Sequence, residues 1–336
     1  MSSLHHLGGW GWYRIDMKRA LRPLRIALGL LAMFALTYWF FGRNGWGPAA
    51  SNESAIGVAS RWCERVVSGY FREPSNALGN LGFAASGLAM LGILARDEIR
   101  ATSKRNQFIG NTPLAILFAS AAVFLGPGSM VMHGTHTLFG AWLDNVSMVA
   151  YILIPWLVNF SILGRWRSRR LFVVYGLLLA GYAAGYWFIG PDLGIGLDVF
   201  EVSIPLWVIS EVLYRFWSQR ARVWSGFVGF GVAWLFQISP LEIFSNLGEY
   251  WWIFLFWLPG LVGHSPPQGR RRFTPWYWIG FASFMAAYAI WLTGVAGHEL
   301  CNPDALLQSH AIWHLLGAVS TFSFFMFFRT ERPLAL

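Results

Sequence analysis

The sequence predicts an all-α, polytopic membrane helix bundle, and three observations predict it. Apolar residues make up 56% of the 336-residue chain and Asp, Glu, Lys and Arg together only 12%, about half the charge of an ordinary soluble domain. The mean hydropathy is +0.47. Apolar runs of about 20 residues, enough to cross a hydrocarbon core as a helix, recur along the whole chain. So few charges cannot cover a soluble surface of this size, and intrinsic disorder, collagen-like repeats and disulfide-dense secreted folds are excluded with it.

Ten spans are predicted, over 24–41, 76–95, 112–132, 138–162, 171–189, 198–215, 222–238, 246–263, 276–296 and 308–328. The first has a long apolar run behind a long basic stretch, which favours an uncleaved anchor over a signal peptide, although Gly47-Pro48-Ala49-Ala50 resembles a cleavage site. The next five are each predominantly apolar, with Asp144 in the span over 138–162 and Glu201 and Glu211 in the span over 198–215. The span over 246–263 is the weakest, because Gln237-Ile238-Ser239-Pro240 and Glu242 precede it, so 222–263 reads either as two spans or as one re-entrant hairpin. The last two close the chain before a short basic tail. No internal repeat is evident.

The net charge is +9. Of the 25 Lys and Arg residues, 21 fall in one set of short loops, and only Arg43, Arg61, Arg65 and Arg72 fall in the other. These charges read as topology signals, not as a nucleic-acid surface, and they place both termini in the cytoplasm. That sidedness fits a bacterial inner membrane or an endoplasmic reticulum or Golgi membrane alike. Glu211 precedes Arg215 by four residues, the spacing of a helical ion pair.

The polar residues of interest gather at the opposite, extracytoplasmic face. Ser129 and His133 are four apart and share a helix face, and Asp144 follows eleven residues later across a short turn. His310 and His314 are again four apart, which stacks two imidazoles one turn from each other. A third histidine at that depth would complete a three-His zinc site with an open fourth position. His133 and His136 both qualify as that ligand. Asp144 would orient or deprotonate a water, or hold a histidine tautomer. A second cluster, Trp62-Cys63-Glu64 and Glu73-Pro74-Ser75-Asn76 with Asn80, precedes the second span on the same face. The chain's two cysteines, Cys63 and Cys301, both fall on that oxidising side, which predicts a disulfide between them.

In their order and spacing these segments resemble the alkaline ceramidase family. They are Trp62-Cys63-Glu64, Glu73 to Asn76 with Asn80, Gly128-Ser129 to His133 with Asp144, and Cys301-Asn302-Pro303 followed by His310 and His314. That family sits in a superfamily of seven-span membrane hydrolases with the adiponectin/progestin receptors and the GPI-lipid remodelling proteins. The resemblance implies that His133, His310 and His314 ligate Zn2+ and that Ser129 and Asp144 are catalytic, with Asp144 as general base. It implies a ceramide substrate, cleaved at its amide to a sphingoid base and a fatty acid, and a bridge between Cys63 and Cys301. It also points to Ca2+ at Glu64, Glu73 and the Trp62 carbonyl. Here, however, Arg61 stands where the family has an acidic ligand, and Arg61 could replace the cation by pairing with Glu64 or Glu73. Two other readings stay open: a zinc hydrolase of the same superfamily acting on another amide or ester lipid, and a non-catalytic lipid receptor. A transporter has less support, since broken helices in matching halves are not evident.

The expected organisation is an N-terminal segment with an extra span and loop over 1–61, a ceramidase-like membrane domain over 62–328, and a cytoplasmic tail over 329–336.

Overall fold

The computed structural model describes residues 17–100, 102 and 106–334. Of the 21 Lys and Arg residues counted on the cytoplasmic side, Arg14, Lys104 and Arg105 lie outside the described residues. Among the described residues, six helices are long and apolar enough to cross a membrane: α1 (Arg22–Gly42), α2 (Pro74–Ile99), α3 (Pro113–Thr135), α4 (Leu138–Leu163), α5 (Ser168–Phe188) and, after these, Ser309–Phe328. Two more rods run beside them. One is α6 (Val199–Arg215), of 17 residues. The other is α7 (Trp276–Thr293), whose Trp and Tyr content lowers its hydropathy. The C-terminal Ser309–Phe328 is α8. These eight agree with the spans expected from sequence to within a few residues at each end.

The helix starts follow local chemistry. Thr112, Thr137 and Asp198 each accept a backbone N–H from three residues on, capping α3, α4 and α6. Pro74 opens α2, where its missing N–H costs nothing. The cap of α2 comes from elsewhere in the chain: the Glu64 carboxylate accepts the backbone amides of Ser75 at 2.7 Å and Asn76 at 2.8 Å.

Helix α4 is the axis of the bundle, with 89% of its most apolar window buried, whereas α1 and α5 bury only 11% of theirs. The outer faces of α1 and α5 expose Leu36, Phe41, Leu177 and Phe188. Such a surface is tolerable only against lipid. Between helices in lipid, small residues allow close approach. A Cβ on Gly128 would meet Ser147 Oγ at 2.4 Å, and one on Gly79 would meet Ala311 Cα at 3.0 Å. These contacts lock α3 to α4 and the start of α2 to α8, the helices that carry the polar cluster.

The region 222–263 forms no continuous helix of membrane length among the described residues. It breaks into Gln219–Trp224, Phe227–Leu235, Pro240–Ser245, a 3-10 turn over Trp251–Trp257, and Leu258–Val262. Its ends meet, since Arg222 Nε donates to the Gly260 carbonyl at 3.0 Å and Trp257 Nε1 to Val223 O at 2.9 Å. Its far end reaches the loop before α6, where Trp251 Nε1 donates to Ile195 O at 2.7 Å. The segment is therefore a broken helical hairpin that runs from the arginine-rich end of the bundle to the opposite end and back. Pro240 and Pro259 each open a new short helix, and neither can continue the hydrogen-bond ladder before it.

Cys63 and Cys301 are disulfide-bonded across 238 residues of sequence. Beside the bond, Arg65 clamps Asp304 with Nε–Oδ1 at 2.5 Å and Nη2–Oδ2 at 2.7 Å. The loop before α2 is thus tied to the loop before α8. Replacing Cys63 with Ser is expected to lower unfolding stability by about 2–5 kcal/mol, measured as a reduced melting temperature in detergent. Reductant should reproduce the shift in the natural chain and have no effect on the variant.

Candidate metal centre

The histidines come together where α3 ends and α8 begins. His133 lies in the last turn of α3 and His310 in the first turn of α8, with His314 one turn further in. All three are buried. One ligating atom from each lies within 4.8 Å of the others, and among the described residues this is the one such group of His, Cys, Asp and Glu. His133 Nε2 stands 3.2 Å from His310 Nε2 and 3.3 Å from His314 Nε2. Ligands about 2.0–2.1 Å from a tetrahedral zinc are about 3.3 Å apart, so the two separations match those of a shared ion. The structure brings together His133, not His136.

Glu73 orients this cluster. Its Oε2 is 2.5 Å from His133 Nδ1, and its Oε1 is 2.9 Å from His136 Nε2. A carboxylate only accepts, so His133 donates from Nδ1 and keeps the Nε2 lone pair for a metal. This is the carboxylate–histidine arrangement that fixes a ligand's tautomer. Trp62 stacks on His310 with ring centroids 4.4 Å apart, which holds the imidazole plane. Replacing Glu73 with Gln is expected to weaken metal affinity by about 10- to 100-fold, read by competition with a chelator. An unchanged affinity would leave Glu73 with no role in orientation.

Ser129, near the end of α3, and Asp144, in the second turn of α4, lie within interaction range of each other across the α3–α4 contact. Asp144 Oδ1 is buried with no hydrogen-bond partner. Gly128 is what permits this approach, since its neighbour Ser147 leaves no room for a side chain there.

The oxygens expected for calcium are engaged elsewhere. Both Glu73 oxygens face imidazoles, both Glu64 oxygens cap α2, and the Trp62 carbonyl accepts the Glu64 amide at 3.0 Å. Burial pushes the Glu64 carboxyl up, and the Asn76 and Ser75 amides pull it back. A calcium ion needs six to eight oxygens, and this donor set does not offer them. Arg61 pairs with neither Glu64 nor Glu73. It lies 3.4 Å from Glu53 and over the Trp62 ring, because Glu64 and Glu73 already have partners.

Two functional contacts were not legible from sequence. The grip of Glu73 on His133 joins residues 60 apart. His136, weighed as a ligand, instead flanks Glu73 and faces Glu53 at 3.9 Å. The ion pair expected between Glu211 and Arg215 is also absent: Glu211 binds Arg271 at 2.6 Å, since Glu211 faces the bundle interior while Arg215 faces out.

An apolar helical bundle with a buried three-histidine cluster that could hold a metal ion defines a polytopic helical membrane protein with a candidate metal centre. The chain belongs to the ceramidase family, whose sequence profile matches residues 58–333. Comparison with curated proteins gives no match.

Proposed function

We propose that this protein is a zinc-dependent amidase that hydrolyses ceramide to a sphingoid base and a fatty acid. The observation that carries the reading is the convergence of three imidazole nitrogens beside Ser129 and Asp144 in a chain of the ceramidase family. The hydrolase unit is taken to run over 62–328, with 1–61 and 329–336 flanking it. His133, His310 and His314 would hold the metal, and Glu73 would set the tautomer of His133.

A bound zinc ion would supply Lewis-acid polarisation of the amide carbonyl and a water acidified to a pKa of about 7. The remaining work falls to the chain. Asp144, with Oδ1 unengaged, accepts the proton of the attacking water and passes it to the leaving amine. The Ser129 hydroxyl donates to the oxyanion that develops on the carbonyl. The wall of apolar helices excludes water and takes the two hydrocarbon chains. The site faces the extracytoplasmic side in this reading, with both termini cytoplasmic, because the arginine-rich loops lie at the other ends of the same helices.

The test is zinc content and fatty-acid release on one purified detergent sample. About one zinc per chain and turnover of ceramide are expected. Asp144→Asn should retain the zinc and lose activity by about 100- to 10,000-fold, the usual share of a general base. Zinc without turnover of ceramide, but with turnover of another amide or ester lipid, would move the substrate and keep the chemistry. Absence of zinc from the natural chain would overturn the mechanism.

A further inference from the structure

The end of the bundle opposite the histidines carries a second polar feature that hydrolysis does not use. A cleft of about 180 Å³ opens there, lined in part by Tyr214, Arg215, Trp217, Arg270, Arg271 and Phe273. Its floor is a buried ion network. Arg271 Nη1 binds Glu211 at 2.6 Å and Asn159 Oδ1 at 2.6 Å, and its Nε binds Glu331 at 2.8 Å. Arg271 Nη2 is buried and has no partner, although the residue is only 3% exposed. A buried donor left unpaired is costly and points to a missing acceptor.

The rim is one-sided in charge. Arg215 and Arg270 are exposed, and neither has an acidic partner among the described residues. Arg270 lies opposite Arg332 in a two-stranded antiparallel pair, Gly269–Arg270 with Arg332–Pro333. Like charges in that register repel, and an anion between them would remove the repulsion. The cleft also borders the apolar surface, since Phe216 beside it is 67% exposed. Guanidinium forks bind phosphate in two-point contacts, and basic pockets between helix ends take lipid head groups.

We propose that this cleft binds the phosphate of an anionic phospholipid at the arginine-rich membrane surface. Arg215 and Arg270 contact the phosphate, and Arg271 Nη2 gains its missing acceptor. A zwitterionic choline lipid carries the same phosphate with a cation beside it, which the arginines repel.

Native mass spectrometry of the full chain in detergent tests this, with phosphatidylglycerol and phosphatidylcholine as probes and inorganic phosphate as competitor. Phosphatidylglycerol should be retained at least about tenfold better than phosphatidylcholine, and Arg215→Gln with Arg270→Gln should abolish the preference. Arg167→Gln with Arg169→Gln removes the same charge from a neighbouring loop and should leave it intact. Resistance to inorganic phosphate supports a lipid-bound phosphate, while displacement by it supports recognition of the phosphate alone. Equal retention of the two lipids, or equal loss in both double variants, would overturn the proposal.

Discussion

Alanine in place of His133, His310 or His314 is expected to remove bound metal and to lower ceramide hydrolysis by at least about a thousandfold. The magnitude follows from the several kcal/mol of transition-state stabilisation that a catalytic metal contributes, at about 1.4 kcal/mol per factor of ten. The three replacements should act as one unit, because each leaves an incomplete ligand set. The double variant His310→Ala/His314→Ala should therefore be no worse than either single one. His136→Ala separates ligand from support. His136 contacts Glu73 and none of the three clustered nitrogens, so that variant should keep its zinc. Metal analysis and fatty-acid release on each purified variant check both points. Loss of zinc in His136→Ala with retention in His133→Ala would reverse the assignment.

The second large effect is on stability. Arg271→Met would leave Glu211 buried with Asn159 as its remaining polar partner. Removing one member of a buried ion pair costs about 3–5 kcal/mol, because the other charge is left uncompensated. The thermal unfolding midpoint in detergent should fall accordingly, with zinc content per folded chain unchanged, since the network lies at the far ends of the helices. Adding Glu211→Gln should restore part of the loss by removing the orphaned charge. A double variant as unstable as Arg271→Met would mean that packing of Arg271 on Tyr214, whose ring centroid is 4.0 Å from the guanidinium carbon, matters more than charge.

The ligand spacing was visible in sequence for a simple reason. Four residues are close to one helical turn, so Ser129 with His133, and His310 with His314, share a face wherever a helix forms. Spans α1 to α6 were visible because lipid demands a nearly continuous apolar run. The hairpin over 222–263 was ambiguous because its apolar content suffices for two spans, while Pro240 and Pro259 interrupt the hydrogen-bond ladder.

Sequence by itself determined the class of the molecule, the apolar runs that form its long helices, the two histidine-bearing turns and the pairing of Cys63 with Cys301. Residue spacing left His133 and His136 open as the third ligand, the family resemblance implied His133, and the structure clusters it with His310 and His314. Only the tertiary structure decided that Glu73 orients His133 instead of facing a cation, that Glu64 caps α2, and that Glu211 pairs with Arg271. The physical reason is range. Helical periodicity and hydropathy act between near neighbours and are written along the chain. The choice of partner for a buried charge depends on which groups the packed helices bring within about 3 Å, and that is set by close contacts such as Gly128 on Ser147 and Gly79 on Ala311.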